Sequence, residues 1–286
     1  MVKKITFADS PVEYSRLDNA HIVLVPVPYD GTSTWLKGAD KGPKAIFEAS
    51  HNLEFYDIET DSEIYKKGIF IDKEITENSS PEAMVNAVHS TVSKHIKNKK
   101  FVVLLGGEHS VSIGAIKAHA ENYKDMTVLQ LDAHSDLRNE HCGSKYNHGC
   151  VMARVKEYCP IVQVGIRSMC VEENKIIDKK RVFYAHDICQ SNSKDWVDKV
   201  IKLLTGNIYI TLDLDVFDPG IMPSTGTPEP GGLLWYDVLF LLKKVIEKKN
   251  VVGFDIVELC PSENKAPDFL ATKLLYKLLS YKFVKK

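Results

Sequence analysis

The sequence has no paired cysteines, no long apolar run and no block of one charge, and each absence removes a class of protein. Its six cysteines, Cys142, Cys150, Cys159, Cys170, Cys189 and Cys260, are scattered with no CxxC pair. Neither a thiolate metal set nor a disulfide framework is expected, and free thiols in a cytoplasmic protein are the default. None of the six is read as catalytic. No apolar run approaches the roughly 20 residues of a membrane span. Met1-Val-Lys-Lys-Ile5 leads into a polar stretch, without the apolar core of a signal peptide. No membrane partner is therefore expected. A formal charge of -1, with no long basic block, argues against nucleic acid as a partner. Repeats, low-complexity tracts and Pro/Gly/Ser-rich linkers are missing too. The 286 residues, 44% of them hydrophobic, are read as one domain over residues 1–286 with a sizeable core.

What is present is an alternation of short apolar runs and longer amphipathic ones. Strands are expected at His21 to Val27, Gly68 to Asp72, Phe101 to Leu105, Thr127 to Leu131, Ile161 to Ile166, Val182 to Ala185, Ile208 to Leu212 and Val251 to Val257. Helices are expected at Gly42 to His51, Pro81 to Lys97, Ser110 to Glu121, Gly149 to Tyr158, Lys194 to Leu204, Trp235 to Glu247 and Pro267 to Tyr281. Ser80 before Pro81 reads as a cap followed by a first-turn proline. This rhythm implies right-handed crossovers: an α/β fold, a three-layer αβα sandwich with a mostly parallel sheet of about eight strands.

The densest chemistry is Gln130 to Asp136, where Asp132, His134 and Asp136 stand at every second position. A strand-like path through this segment would put all three on one side. Two other apolar runs end in the same way, one at His109 and one at Asp213-Leu-Asp215. Ligands collect beyond the carboxyl ends of parallel strands, where these residues fall. Two His and four Asp exceed what one metal ion needs. Four crowded carboxylates would otherwise repel and take up protons, so two divalent ions sharing bridging carboxylates fit the count. Oxygen and imidazole without thiolate point to manganese first, with zinc, iron, cobalt and nickel left open.

Gly106-Gly-Glu-His-Ser110, Asp132-Ala-His-Ser-Asp136, Asn147-His-Gly149, Thr211-Leu-Asp-Leu-Asp-Val-Phe-Asp-Pro219 and Thr225-Gly-Thr-Pro-Glu-Pro-Gly-Gly232 occur in this order. Together they resemble the ureohydrolase family of arginases and agmatinases, closest to its agmatinase branch, over about Pro28 to Pro261. The resemblance implies an arginase-like fold, two Mn2+ per subunit, and hydrolysis of a guanidino compound to urea and an amine by a metal-bridging hydroxide. Agmatine, giving putrescine in polyamine biosynthesis, is the expected substrate. The alternatives are guanidinobutyrate, aminopropyl-agmatine and arginine. By the same resemblance His109, Asp132, Asp136 and Asp213 hold one ion, and His134, Asp132, Asp213 and Asp215 hold the other. Asp136 relays a proton, His148 shuttles one to the leaving amine, Glu258 pairs with the guanidinium, and Thr227 lines the same pocket. A homo-oligomer, hexamer or trimer, is implied as well.

Glu108 stands where the family often has Asp, and Gly143-Ser-Lys-Tyr-Asn147 departs from the arginase run that grips an amino-acid carboxylate. Within Leu137 to His141, Glu140 would attract a terminal ammonium, whereas Arg138 would favour an acidic tail unless a neighbour neutralises it. The remaining histidines are read as surface or core residues, His141 as a solvated loop residue, Asp218 as a turn initiator, and Asp255 as a structural salt bridge or helix contact on the face opposite Glu258. Binuclear phosphoesterases also carry a DxH element, but there it comes first, whereas here His109 precedes it. A non-catalytic oligomeric scaffold would be expected to have lost ligands, and here all are present.

Overall fold

A computed structural model describes residues 6–191 and 193–284. Among them, eight apolar segments form one sheet: β1 (Ile22–Val27), β2 (Ile69–Ile71), β3 (Phe101–Gly106), β4 (Met126–Leu131), β5 (Ile161–Ile166), β6 (Val182–Tyr184), β7 (Asn207–Asp213) and β8 (Asn250–Val257). Their spatial order is β2-β1-β3-β8-β7-β4-β5-β6. Every strand pairing is parallel. Parallel strands covered on both faces need apolar side chains in both directions, which is why these segments read as near-continuous hydrophobic runs.

The connecting helices are α1 (Gly42–Ser50), α2 (Pro81–Lys97), α3 (Val111–Asn122), α4 (Val151–Val155), α5 (Val171–Ile176), α6 (Ala185–Gln190), α7 (Asp195–Leu203), α8 (Trp235–Lys248) and α9 (Ala266–Phe283). Alternation along each strand divides the core in two. Ile22, Leu24, Val103 and Leu105 pack with residues of α1, α7, α8 and α9. Val23, Val25, Val102 and Leu104 pack with residues of α2, α3 and α4 on the other face. The result is a three-layer αβα sandwich. Ser80 caps α2 as expected, its hydroxyl accepting the Ala83 N–H at 3.0 Å.

Two expectations need correction. The helix expected over Gly149 to Tyr158 shrinks to α4, because a 3-10 turn at His148–Cys150, capped by the Asn147 side chain on the Gly149 N–H at 3.0 Å, precedes it. The short helices α5 and α6 were not anticipated. Each has only six residues, too few for a periodic apolar face to show in sequence.

The order of the sheet explains where chemistry gathers. β3, β8, β7 and β4 are consecutive neighbours, and their carboxyl ends lead directly to His109, Glu258, Asp213 and Asp132. Residues separated by up to 149 positions are thereby neighbours, as in the 2.7 Å hydrogen bond from the His109 N–H to Glu258 Oε1.

Candidate active site

The residues read from the sequence as metal ligands and catalytic groups converge on one cavity of about 300 Å3 at this sheet edge. His109, His134, Asp136, His148, Asp213, Asp215, Thr227 and Glu258 line it, and fully buried Asp132 lies beneath. The route differs from expectation at one point. β4 ends at Leu131, so no strand continues through the cluster. Asp136 is brought in by a left-handed backbone with φ 52°. Glu258 has φ 68°. Such angles cost a non-glycine residue about 1–2 kcal/mol, and here they aim carboxylates into the cavity.

Two groups have metal-ligand spacing: His109, Asp132 and Asp213, and then Asp132, His134 and Asp215. They share Asp132. In the first, His109 Nδ1 lies 3.2 Å from Asp132, 3.1 Å from Asp136 and 3.4 Å from Asp213, yet this buried atom makes no hydrogen bond. Its other nitrogen explains why. Nε2 lies 2.8 Å from the Thr211 hydroxyl, which donates its only hydrogen to Asp255 Oδ1 at 2.8 Å. Nε2 must therefore carry the proton, and in neutral His109 the Nδ1 lone pair faces three carboxylates. That donor set fits a cation at their centre.

The electrostatics mark the same cluster as short of positive charge. Burial pushes Asp132 up, repulsion from Asp136 and Asp215 adds to it, and the carboxyl reaches about 7. Asp213 is raised well above its ordinary value by burial and then by Asp215 and Asp132. Burial opposes the charged form of His134, but Asp215 at 2.8 Å prevails and lifts it to about 11. Burial likewise disfavours ionised Asp215, which His134 nevertheless holds down at about 2. In His109, too, the carboxylates outweigh burial and raise it well above the ordinary histidine value. Carboxylates that take up protons and histidines that hold them mark an excess of negative charge.

With the geometry in place, comparison with known proteins identifies the family. The model of the arginase family matches residues 20–280. The chain belongs to the arginase family. It is 38% identical to an N(1)-aminopropylagmatine ureohydrolase from Synechocystis sp., over 96% of this chain and 93% of that one. It is 31% identical to an agmatinase from Pyrococcus horikoshii, over 95% and 96% of the two chains. Among solved structures, agmatine ureohydrolase of Thermoplasma volcanium superposes with a TM-score of 0.87 at 33% identity, covering 99% of this chain and 94% of that one. The αβα sandwich is thus arginase-like, and the chain is a hydrolase of the arginase family.

Around the metal-ligand groups, family membership gives meaning to features that motif reading passed over. Glu173 is buried and accepts hydrogen bonds from the Ser135 hydroxyl at 2.7 Å and the Leu137 and Cys170 N–H groups at 2.8 Å. It pins the loop after Asp132 and lies 3.8 Å from Arg138 Nε. Burial works against its ionised form, but these donors hold Glu173 below its usual value. Arg167 gathers the Asp215, Phe217 and Glu229 carbonyls at 2.6, 3.2 and 2.8 Å. Nothing in the local sequence marks either residue, since the partners that tie them to the site, Ser135 and Leu137 for Glu173 and Asp215 for Arg167, are 36 to 48 positions away.

Further expectations on single residues divide. Asp218 is a turn residue, accepting the Gly220, Gly231 and Gly232 N–H groups. Asp255 is not in a salt bridge; it is fully buried and accepts hydrogen bonds from the Tyr209 and Thr211 hydroxyls and the Leu212 N–H. His141 lines the cavity, its ring 6.2 Å from that of His148. Burial lowers His148. Glu258 is pushed well up by burial and by Glu108. No helix among the described residues is long and apolar enough to cross a membrane.

Proposed function

We propose that this protein hydrolyses the guanidinium group of N1-aminopropylagmatine to urea and spermidine, as a single ureohydrolase domain over residues 1–286. Agmatine, yielding putrescine, is the second reading, and either would serve polyamine biosynthesis in the cytoplasm. The observation that carries the reaction class is His109 Nδ1 facing three carboxylates, with a fourth, Glu258, on the same cavity wall. His109, Asp132, Asp136 and Asp213 would hold one Mn2+, and His134, Asp132, Asp213 and Asp215 the other. When bound, the pair supplies a water acidified enough to act as nucleophile at neutral pH and offsets the carboxylate charge.

The chain's own residues do the rest. Glu258 Oε1 is occupied by the His109 N–H, so Oε2 is the atom offered to the guanidinium, with Gly226 alongside leaving room for it. Thr227 lines the same wall. Asp136 accepts the proton that the nucleophile gives up. The C–N bond breaks only after its nitrogen gains a proton; His148 takes one up from solvent at Nε2 and passes it to that nitrogen, a relay that imidazole suits near neutral pH.

The tail reading rests on charge and reach. Arg138, the cation that would favour guanidinobutyrate, lies against Glu173, so an acidic tail finds no uncompensated partner in it. The cavity wall continues through Trp35, which is 69% exposed, so the pocket reaches the surface. An indole face there suits the ammonium groups of a longer tail. The similarity to the Synechocystis aminopropylagmatine enzyme supports the longer substrate.

The test is urea release by manganese-loaded protein given N1-aminopropylagmatine, agmatine, guanidinobutyrate and arginine separately. The highest kcat/KM should fall on N1-aminopropylagmatine. A preference for guanidinobutyrate or arginine would refute the reading of Arg138 and Glu173, and the absence of urea from any of them would favour a non-catalytic homologue.

A further inference from the structure

We propose that Thr32, held by Glu108, is a positioning residue that sets the tautomer and orientation of His148. The inference rests on His148 being the proton donor to the leaving amine. Thr32 sits in the loop between β1 and α1, and Glu108 follows β3, fully buried. Glu108 Oε1 accepts the Thr32 N–H at 3.2 Å, the Thr32 hydroxyl at 2.8 Å and the Ser110 hydroxyl at 2.9 Å. Its Oε2 accepts the Ser110 N–H at 2.8 Å. Burial pushes the Glu108 carboxyl up, but all four donors favour its ionised, acceptor-only form.

The Thr32 hydroxyl has one hydrogen, and Glu108 takes it. The hydroxyl oxygen then has only lone pairs for His148, and two His148 groups approach it: the backbone N–H at 2.9 Å and ring Nδ1 at 3.3 Å. An oxygen whose hydrogen is committed elsewhere can only accept, so Nδ1 carries the ring proton of neutral His148. Nε2, on the far edge of the imidazole, is left as the atom that binds and releases a proton. Fixing both the backbone N–H and Nδ1 to one oxygen also sets the ring's direction.

The loop itself is clamped to the sheet edge. Gly107 and Glu108 donate their N–H groups to the Val27 and Tyr29 carbonyls at 2.8 and 2.9 Å. A Cβ on Gly107 would sit 1.9 Å from the Tyr29 oxygen, so only glycine allows this approach. From the other side, Asn147 Nδ2 reaches the Thr32 carbonyl at 3.4 Å. Thr32 is thus fixed from the sheet and from the loop that carries His148.

The test compares Thr32→Val, which keeps shape but loses the hydroxyl, with Thr32→Ser, which keeps the hydroxyl. In zinc-loaded, diamagnetic protein labelled with 15N-histidine, wild type and Thr32→Ser should show His148 protonated at Nδ1, and Thr32→Val should lose that preference. In manganese-loaded protein, Thr32→Val should lower kcat for urea release by about 10- to 100-fold, a share of a general acid's contribution, with KM, bound manganese and Tm near wild type. Thr32→Ser should recover most of it. An Nε2–H tautomer in wild type, or a tautomer and kcat unmoved by Thr32→Val, would overturn the proposal, as would a kcat loss matched by lost metal. If wild type makes no urea but Thr32→Val still changes the tautomer, the clamp stands and the assigned reaction fails.

Discussion

Replacing Thr211 by Val preserves side-chain shape, removes one hydroxyl and tests whether His109 is held as a neutral ligand. In the wild type that hydroxyl is the 2.8 Å partner of His109 Nε2 and the 2.8 Å donor to Asp255. Asp255 keeps the Tyr209 hydroxyl at 3.0 Å and the Leu212 N–H at 3.2 Å, so its loss is partial. The His109 ring Nε2–H loses its hydrogen-bond acceptor in a fully desolvated position, which costs about 1–3 kcal/mol. Without that bond the imidazole is free to carry its proton on Nδ1, which removes the lone pair the carboxylates surround. Outer partners of metal-bound histidines contribute about 10–100-fold to metal affinity. Chelator competition at neutral pH should therefore show the Kd for manganese rising by about that factor in Thr211→Val and recovering in Thr211→Ser. A lowered Tm with unchanged manganese affinity would refute the tautomer argument.

Three other perturbations bear on the same structure. Asp213→Asn removes a carboxylate from the first metal-ligand group and should abolish metal-dependent urea release; full activity would discard the ligand assignment. Glu258→Gln exchanges a charge-assisted contact for a neutral one, about 1.5–3 kcal/mol, so KM for the guanidine should rise about 10- to 100-fold, and an unchanged KM would remove Glu258 from the substrate site. Burial drives His119 down to about 4, only partly opposed by its bond to the Ala115 carbonyl. A depressed folded-state value means the unfolded chain binds the extra proton, so this contribution is complete above the unfolded value near 6.5 and is lost as pH falls toward 4. By about pH 5 roughly 2 kcal/mol should be gone, and urea denaturation should show that slope in wild type but not in His119→Leu.

The sheet and the metal cluster were open to sequence reading for physical reasons, and so were the errors. Buried parallel strands must be apolar on both sides, so each of β1 to β8 stood out as a run, and polar residues at the ends of β3, β4 and β7 stood out against them. The alternation of Asp132, His134 and Asp136 suggested the right cluster through the wrong geometry, since a left-handed turn and not a strand delivers Asp136. Asp255 was expected in a salt bridge or helix contact, but its partners, Tyr209 and Thr211, lie on the neighbouring strand, and only the register of β7 against β8 reveals them. Thr32, Arg167 and Glu173 reach the site through contacts 36 to 116 positions away. Such loop residues leave no periodic trace.

The most direct test of the central claim is the stoichiometry of products from purified protein and N1-aminopropylagmatine, with manganese and after its removal by chelation. Equal amounts of urea and spermidine from the manganese-loaded protein, and neither from the stripped protein until manganese is restored, are the expected result. Product formation that persists without metal, or consumption of the substrate without urea, would contradict it.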